Sequence, residues 1–210
     1  MPALDTREYR ERSTSPMDVD GLEEPAPVIP PPLPDQDVRH PPADPHCPPR
    51  PPSERPADQI FFYQREQPLY EFTNFAPCGI DWDGYWYPTA EHLFQAHKFM
   101  TTRPDLVRRI RNLPSARAAL EEAGRLRRLQ RSDWFDVNVG IMEAILEAKF
   151  TQHPKLRRML LSTGDGELIE NSPVDSFWGC GEDGEGRNEL GKALMRLRNK
   201  LRSTELQNER

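Results

Sequence analysis

Cysteine is scarce in this chain of 210 residues: Cys47, Cys78 and Cys180 are odd in number and widely spaced, and none stands in a C-x-x-C pair. That pattern argues against a disulfide scaffold and a zinc site, and for a reducing compartment. Long apolar runs are missing as well. None approaches the roughly 18 residues of a spanning segment, so no membrane is expected. The N-terminus has no apolar stretch of the secretory type. The reading is a cytoplasmic placement, with the nucleus as the alternative. Hydrophobic side chains make up only 36% of the chain, low for a wholly folded protein.

The shortage is concentrated at the front. Residues 1–56 hold 16 of the 23 prolines and few large apolar side chains. Such a segment cannot bury enough surface to offset its ordering entropy, so it reads as a disordered, Pro-rich tail with polyproline II stretches. Its run PPPLP, Pro30–Pro34, is of the kind that docks in SH3 or WW grooves. Residues 57–210 carry 23 acidic and 22 basic side chains. That balance demands neither nucleic acid nor a membrane. The arginine clusters at 108–111 and 125–131 read as solvated helix faces, with a phosphate-binding role left open for one of them.

The elements can be read in order. Ile60–Tyr63 is a strand, and GIDWDGYWY (79–87) a hairpin turning at Asp83-Gly84. A helix opened by Pro88 spans about Thr89 to Met100, followed by helices over about 104–111 and 115–124. RSDWFDVNVGIMEAILEAKF is the longest helix, capped by Ser132, with Trp134, Ile141, Ile145 and Ala148 at helical spacing. Pro154–Ser162 forms a helix stopped by Gly164, GELIEN a short strand, and a final helix begins at Asn188 with Leu190, Leu194, Leu197 and Leu201 on one face. The fold class is α+β: a mainly helical single domain with a small antiparallel sheet.

Chemistry concentrates in two places. Glu91, Gln95 and Lys98 sit at spacings of four and seven and share one helical face. They are either a solvated face or a pocket wall. In SPVDSFWGCG a Trp stands among glycines, which offer it little to pack against, and Asp175 lies three residues before Trp178. These are either a loop anchor with its turn cap or a ring-stacking site with a carboxylate. The literal G-x-G-x-x-G at Gly179–Gly184 lacks the strand before it and the βαβ length after it, so it is not a dinucleotide fingerprint. His92 and His97 are five apart and cannot share a metal on one face. No metal and no cofactor are expected.

The segments EFTNFAP, DGYWYPTAEHLFQAHKF, SDWFDVNVGIMEAILEAKF and LLSTGDGELIENSPVDSFWGCGEDGEGRNELGKALM occur in this order. Together they resemble the NADAR family, of YbiA-like fold, from about Ile60 to Leu201. The domain is taken as 57–204, with the tail outside it. Thr73 where Ser is usual and Ala90 where Val is common are mild departures. The resemblance implies an N-glycosidase that hydrolyses the C–N bond between a ribose phosphate or ADP-ribose and a base or amine. The riboflavin-pathway phosphoribosylamino-pyrimidine type leads. The alternatives are an ADP-ribosyl-guanine hydrolase acting on nucleic acid, or a non-catalytic ADP-ribose or NAD binding module.

Carried over by motif position, Glu91, Asp175 and Lys98 would be catalytic. Trp134, Trp178, Asn74, Phe75, Gln95 and Gly179 would bind substrate, and Lys149 matches the motif without a settled role. In such chemistry carboxylates stabilise positive charge at C1′ and move the proton of the leaving nitrogen. Lys98 either pairs with a phosphate or attacks C1′ as an amine. Nucleic acid would enter only as an ADP-ribosylated substrate.

Overall fold

The computed structural model describes residues 58–208. The expected Pro-rich tail, with its PPPLP segment and SH3/WW reading, lies outside the described residues. In chain order the elements are β1 (Gln59–Phe62), β2 (Ile80–Trp82), β3 (Tyr85–Tyr87), α1 (Ala90–His97), α2 (Pro104–Arg111), α3 (Ala116–Arg125), α4 (Trp134–Gln152), α5 (Pro154–Ser162), β4 (Glu167–Glu170) and α6 (Glu189–Asn208). Single 3-10 turns sit at Tyr70–Phe72 and Arg127–Leu129. The class is α+β and mostly helical.

The sheet is richer than expected. β2 and β3 do form an antiparallel hairpin, with Asp83 at φ 49° and Gly84 at φ 77°, the left-handed pair that a tight two-residue turn requires. β1, however, pairs in parallel with β4, Gln59 opposite Glu167 and Phe62 opposite Glu170. The small antiparallel sheet is therefore only half of the strand content. A parallel pair needs a crossover between its members, and here α1 to α5 make it, so no local signal in the sequence announces the pairing.

Helix ends differ from expectation for identifiable reasons. α1 begins one residue later than Thr89, because Thr89 is its cap and its Oγ1 accepts from the His92 amide at 3.2 Å. Such a cap contributes about 1 kcal/mol. Pro88 precedes the cap. α1 stops at His97; the Lys98 and Phe99 amides reach back only three residues, to Gln95 and Ala96, in a tightened last turn. α4 takes Asp133, not Ser132, as its cap residue, and the Asp133 carboxylate does not cap because Arg131 holds it through two hydrogen bonds at 2.6 and 2.8 Å. α6, at 20 residues, exceeds α4, at 19.

The core runs between α1, α4, α6 and the β1–β4 pair. α4 and α6 pack on each other, β4 lies on α6, and α1 is held between α2, α3 and α4. The leucine face of α6 (190, 194, 197, 201) is buried as expected. Asn188, at φ 51°, does more than begin that helix. Its amide group receives the Glu170 N–H at 3.0 Å and donates to the Leu168 carbonyl at 2.8 Å. It satisfies the edge of β4 as a neighbouring strand would. Gly191 lets α6 approach so closely that an added Cβ would lie 2.1 Å from the Leu168 carbonyl oxygen. Together these fix the end of β4, where Glu170 sits.

Candidate active site

Glu91, Gln95 and Lys98 are 5%, 2% and 7% exposed, which disposes of the solvated-face reading. The start of α1 is tied to the TNF segment: the Glu91 amide donates to the Asn74 carbonyl at 3.0 Å. That segment is tied in turn to α4, where Lys149 Nζ donates to the Thr73 carbonyl at 2.8 Å and Asn74 Nδ2 to Met142 Sδ at 3.3 Å. Phe75 is half-buried beside them. Gln95 Nε2 donates to Glu91 Oε1 at 2.7 Å, which aims the carboxyl. Lys98 makes no ion pair with Glu91; its ammonium lies 5.3 Å from the centre of the Trp134 ring.

The second wall is the loop after β4. Asp175 Oδ1 accepts from the amides of Phe177 and Trp178 at 2.9 and 2.8 Å, so it does cap its own turn. Trp178 is not short of packing partners, contrary to the expectation from its glycine neighbours. It belongs to the core cluster and meets Phe94 edge-on at 5.3 Å, and Phe94 meets Trp134 at 4.9 Å. Gly179 has a packing reason to lack a side chain, since a Cβ there would stand 2.7 Å from the Glu170 carbonyl oxygen.

Both histidines are occupied structurally. His92 Nε2 faces the Leu113 carbonyl at 3.1 Å, which can only accept, so Nδ1 at 2.8 Å takes the Thr89 hydroxyl proton. His97 Nδ1 faces the Leu93 carbonyl at 2.9 Å.

The electrostatics add a residue the sequence reading missed. Burial raises Glu170 well above the usual carboxylate range, and the charges of Asp175 and Glu91 raise it further. Burial pushes Glu91 up to about 7, opposed by the Gln95 hydrogen bond and Lys98 and helped by Asp175. Asp175 is raised too, by burial, against its two backbone donors. Three carboxyls that feel one another cannot all ionise, so the group holds at least one proton near neutral pH. Burial lowers Lys98 to about 8 against the pull of Glu91. Tyr63, hydrogen-bonded to Ser172, lies in the same field as Glu170 and Asp175. Glu170 was legible by parity: in a strand it shares the face of Leu168, which is fully buried.

A cleft of about 510 Å³ opens beside this cluster, lined among others by Lys98, Trp134, Phe135, Arg117, Arg127 and Gln130. Glu91, Asp175 and Trp178 do not line it. The structure therefore brings the expected residues into one neighbourhood, with Lys98 and Trp134 bordering the cleft and the carboxyls set back from it, Glu91 and Glu170 buried and Asp175 part-buried.

The family model for the NADAR domain matches residues 61–202, the whole of this arrangement. The chain belongs to the NADAR family. Among its relatives, the N-glycosidase Npun_R5314 of Nostoc punctiforme is 43% identical over 69% of this chain and 93% of its own length. N-glycosidase YbiA of Escherichia coli is 38% identical over 68% and 88%. The riboflavin biosynthesis protein VVA0006 of Vibrio vulnificus is 41% identical over 68% of this chain, which spans only 38% of that protein. The solved NMR structure of E. coli YbiA superposes with a TM-score of 0.66 at 37% identity, over 71% of this chain and 88% of that one. The NADAR chain is thus an enzyme of the N-glycosidase type. No helix among its described residues is long and apolar enough to cross a membrane.

Two expectations follow from the packing of this NADAR site. Trp134, 1% exposed, fills the space between Phe94 and Lys98. Trp134→Ala should cost about 3–5 kcal/mol of stability, as buried aromatic truncations do. Chemical denaturation reads this directly, and a loss below about 1 kcal/mol would remove Trp134 from the core.

Glu170→Gln should stabilise the fold, increasingly with pH. An unfolded Glu ionises near 4.5 and the folded one only well above that, so the unfolded state releases its proton first. Wild-type stability then falls as pH rises above 4.5, at up to about 1.4 kcal/mol per pH unit, and Gln does not share the fall. Melting temperatures of the two proteins at pH 5 and 8 test it; an equal gap at both, or a lower value for the variant at pH 8, would contradict it.

Proposed function

We propose that the chain hydrolyses the C–N bond between a ribose phosphate and a nitrogenous base or amine, a phosphoribosylamino-pyrimidine being the leading substrate type. The observation that carries the reading is the juxtaposition of buried Glu91, in the first turn of α1, with buried Lys98, the residue that caps its end, Lys98 bordering a cleft beside Trp134. Breaking a glycosidic C–N bond develops positive charge on the sugar, which ionised carboxylates stabilise, and it needs a proton for the departing nitrogen. A cluster that holds one proton among Glu91, Glu170 and Asp175 supplies both functions from neighbouring groups. Trp134 borders the cleft beside Lys98, where the sugar or base would meet it. The names of the Nostoc and E. coli relatives support the bond type, and that of the Vibrio relative supports the pathway.

The test is a panel: a phosphoribosylamino-pyrimidine, the corresponding riboside without phosphate, and guanine bearing ADP-ribose in single-stranded nucleic acid. Release of the free sugar or sugar phosphate is followed for each. Turnover of the first well above the others is the expected result. Preference for ADP-ribosyl-guanine would move the substrate to nucleic acid. Binding of ADP-ribose with no turnover of any member would make the chain a binding module and overturn the proposal.

A further inference from the structure

Lys98 stands at a boundary of charge. On one side is the carboxyl of Glu91, itself in the field of Asp175; on the other is the cleft wall built from α3 and the turn Arg127–Leu129. That wall brings Arg117, Arg125 and Arg127 to the cleft together with Lys98, four cations against the single carboxylate of Glu121. The pairing of these guanidiniums is uneven. Arg125 holds Glu122 at 3.1 Å, and Glu122 is also held by Arg109 at 2.7 Å. Arg117 reaches Glu121 only at 3.8 Å. Nearby Arg131 is bound to Asp133. Among the described residues Arg127 has no carboxylate partner and neither does Lys98, although both line the same cleft. Unpaired like charges facing one space repel, and an anion entering that space relieves the repulsion.

We propose that Arg127, with Arg117 beside it, forms the anion subsite that seats the phosphate of a ribose 5-phosphate glycoside. This deepens the N-glycosidase reading and rests on it. In such a glycoside the phosphate and C1′ occupy opposite ends of the sugar. The site presents the same order through Lys98, which borders the cleft with Arg127 and feels Arg127 on one side and Glu91 on the other. A guanidinium suits the phosphate end because it can give two parallel hydrogen bonds to phosphate oxygens. Arg127 is only part-buried, so the phosphate would keep some of its water while the carbon centre goes deeper. Arg127 also bears on Lys98, because its positive charge acts against the ammonium form.

The full chain and its Arg127→Gln and Arg117→Gln variants are titrated calorimetrically with inorganic phosphate, and steady-state kinetics are run with the phosphorylated glycoside and its dephosphorylated counterpart. Wild type should bind phosphate saturably, and Arg127→Gln should weaken that binding about tenfold or more, the loss of one charge-assisted bidentate contact. In kinetics the loss should appear in KM rather than kcat for the phosphorylated glycoside, and be about tenfold smaller for the dephosphorylated one. Phosphate binding equally tight in wild type and both variants would overturn the subsite. So would equal losses on the two glycosides, since a distorted cleft does not discriminate by phosphate. If no glycoside is turned over, the calorimetry still decides the subsite by itself, and the N-glycosidase reading fails separately.

Discussion

Glu91→Gln should fold as wild type does and lose roughly 10²-fold or more in turnover, the scale of a general acid–base group. The geometry explains why folding is spared. The Glu91 backbone is fixed by the Asn74 carbonyl, and the Gln95 amide donates to a side-chain oxygen that glutamine also possesses. What glutamine lacks is the exchangeable proton. Glu91 is raised to about 7, first by burial, so it is still partly protonated where an unperturbed carboxyl would have ionised. As the acid that serves the departing nitrogen, it makes the rate fall on the alkaline side of a maximum between about 7 and 8. In Glu91→Gln that limb should vanish along with the rate. Asp175→Asn should behave similarly in rate, because asparagine keeps the oxygen that receives the Phe177 and Trp178 amides. Near-native turnover in both variants, or a surviving alkaline fall in Glu91→Gln, would move the acid–base role elsewhere, and Glu170 would be the next group to replace.

The elements legible in the sequence were those whose signals are local. Asp83-Gly84 fixed the hairpin turn, Pro104 and Pro154 marked helix starts, and Gly164, at φ 58°, ended α5. The spacing of Glu91, Gln95 and Lys98 placed them on one face, yet spacing alone does not say whether a polar face is wet. Burial comes from α3, α4 and the loop after β4, which close over α1 through contacts distant in sequence. The stripe of α4 was read through Trp134, Ile141, Ile145 and Ala148; Trp134 and Ile145 are buried, but Ile141 and Ala148 are only half-buried, and the buried side runs instead through Asn138, Met142, Leu146 and Lys149. Two of those are polar, and a reading keyed to apolar periodicity passes over them. Lys149 illustrates the cost: it is fully buried, lowered to about 8 chiefly by burial, and spends its ammonium on the Thr73 carbonyl that anchors the TNF segment. Trp178 shows the converse. Its glycine neighbours suggested a ring free to stack, but glycine also allows a loop backbone to press against β4, and that pressure carries the ring onto Phe94.

Lys98 should form a covalent adduct with the sugar during turnover. Its amine has no carboxylate in ion-pair contact, rests on the Trp134 ring, lines the cleft, and is lowered to about 8, first by burial. At pH 8 about half of such a group is neutral, compared with well under 1% for an unperturbed lysine. Glu91 opposes the shift by favouring the ammonium, but the two groups lack direct contact and Arg127 acts in the opposite sense. A carboxylic acid of the cluster gives its proton to the ring oxygen as the sugar opens, leaving C1′ doubly bonded to the departing nitrogen. The Lys98 lone pair adds to C1′, the carboxylate of the cluster takes a proton from Nζ and gives it to the departing nitrogen, and the amine leaves with that proton. Lys98 is then joined to C1′ as an imine, and water adds to return the free sugar and the amine of Lys98. Borohydride added during turnover should reduce the imine to a stable secondary amine, seen by mass spectrometry as one sugar phosphate on the peptide carrying Lys98. The neutral fraction of Lys98 grows through about 8 while the acid fraction of Glu91 shrinks through about 7, so the rate should pass through a maximum between the two, and Lys98→Arg, which keeps the charge without a usable lone pair, should lose turnover by roughly 10²-fold or more. A wild type that yields no adduct, together with a Lys98→Arg protein that turns over normally, would leave Lys98 a purely electrostatic partner of the phosphate.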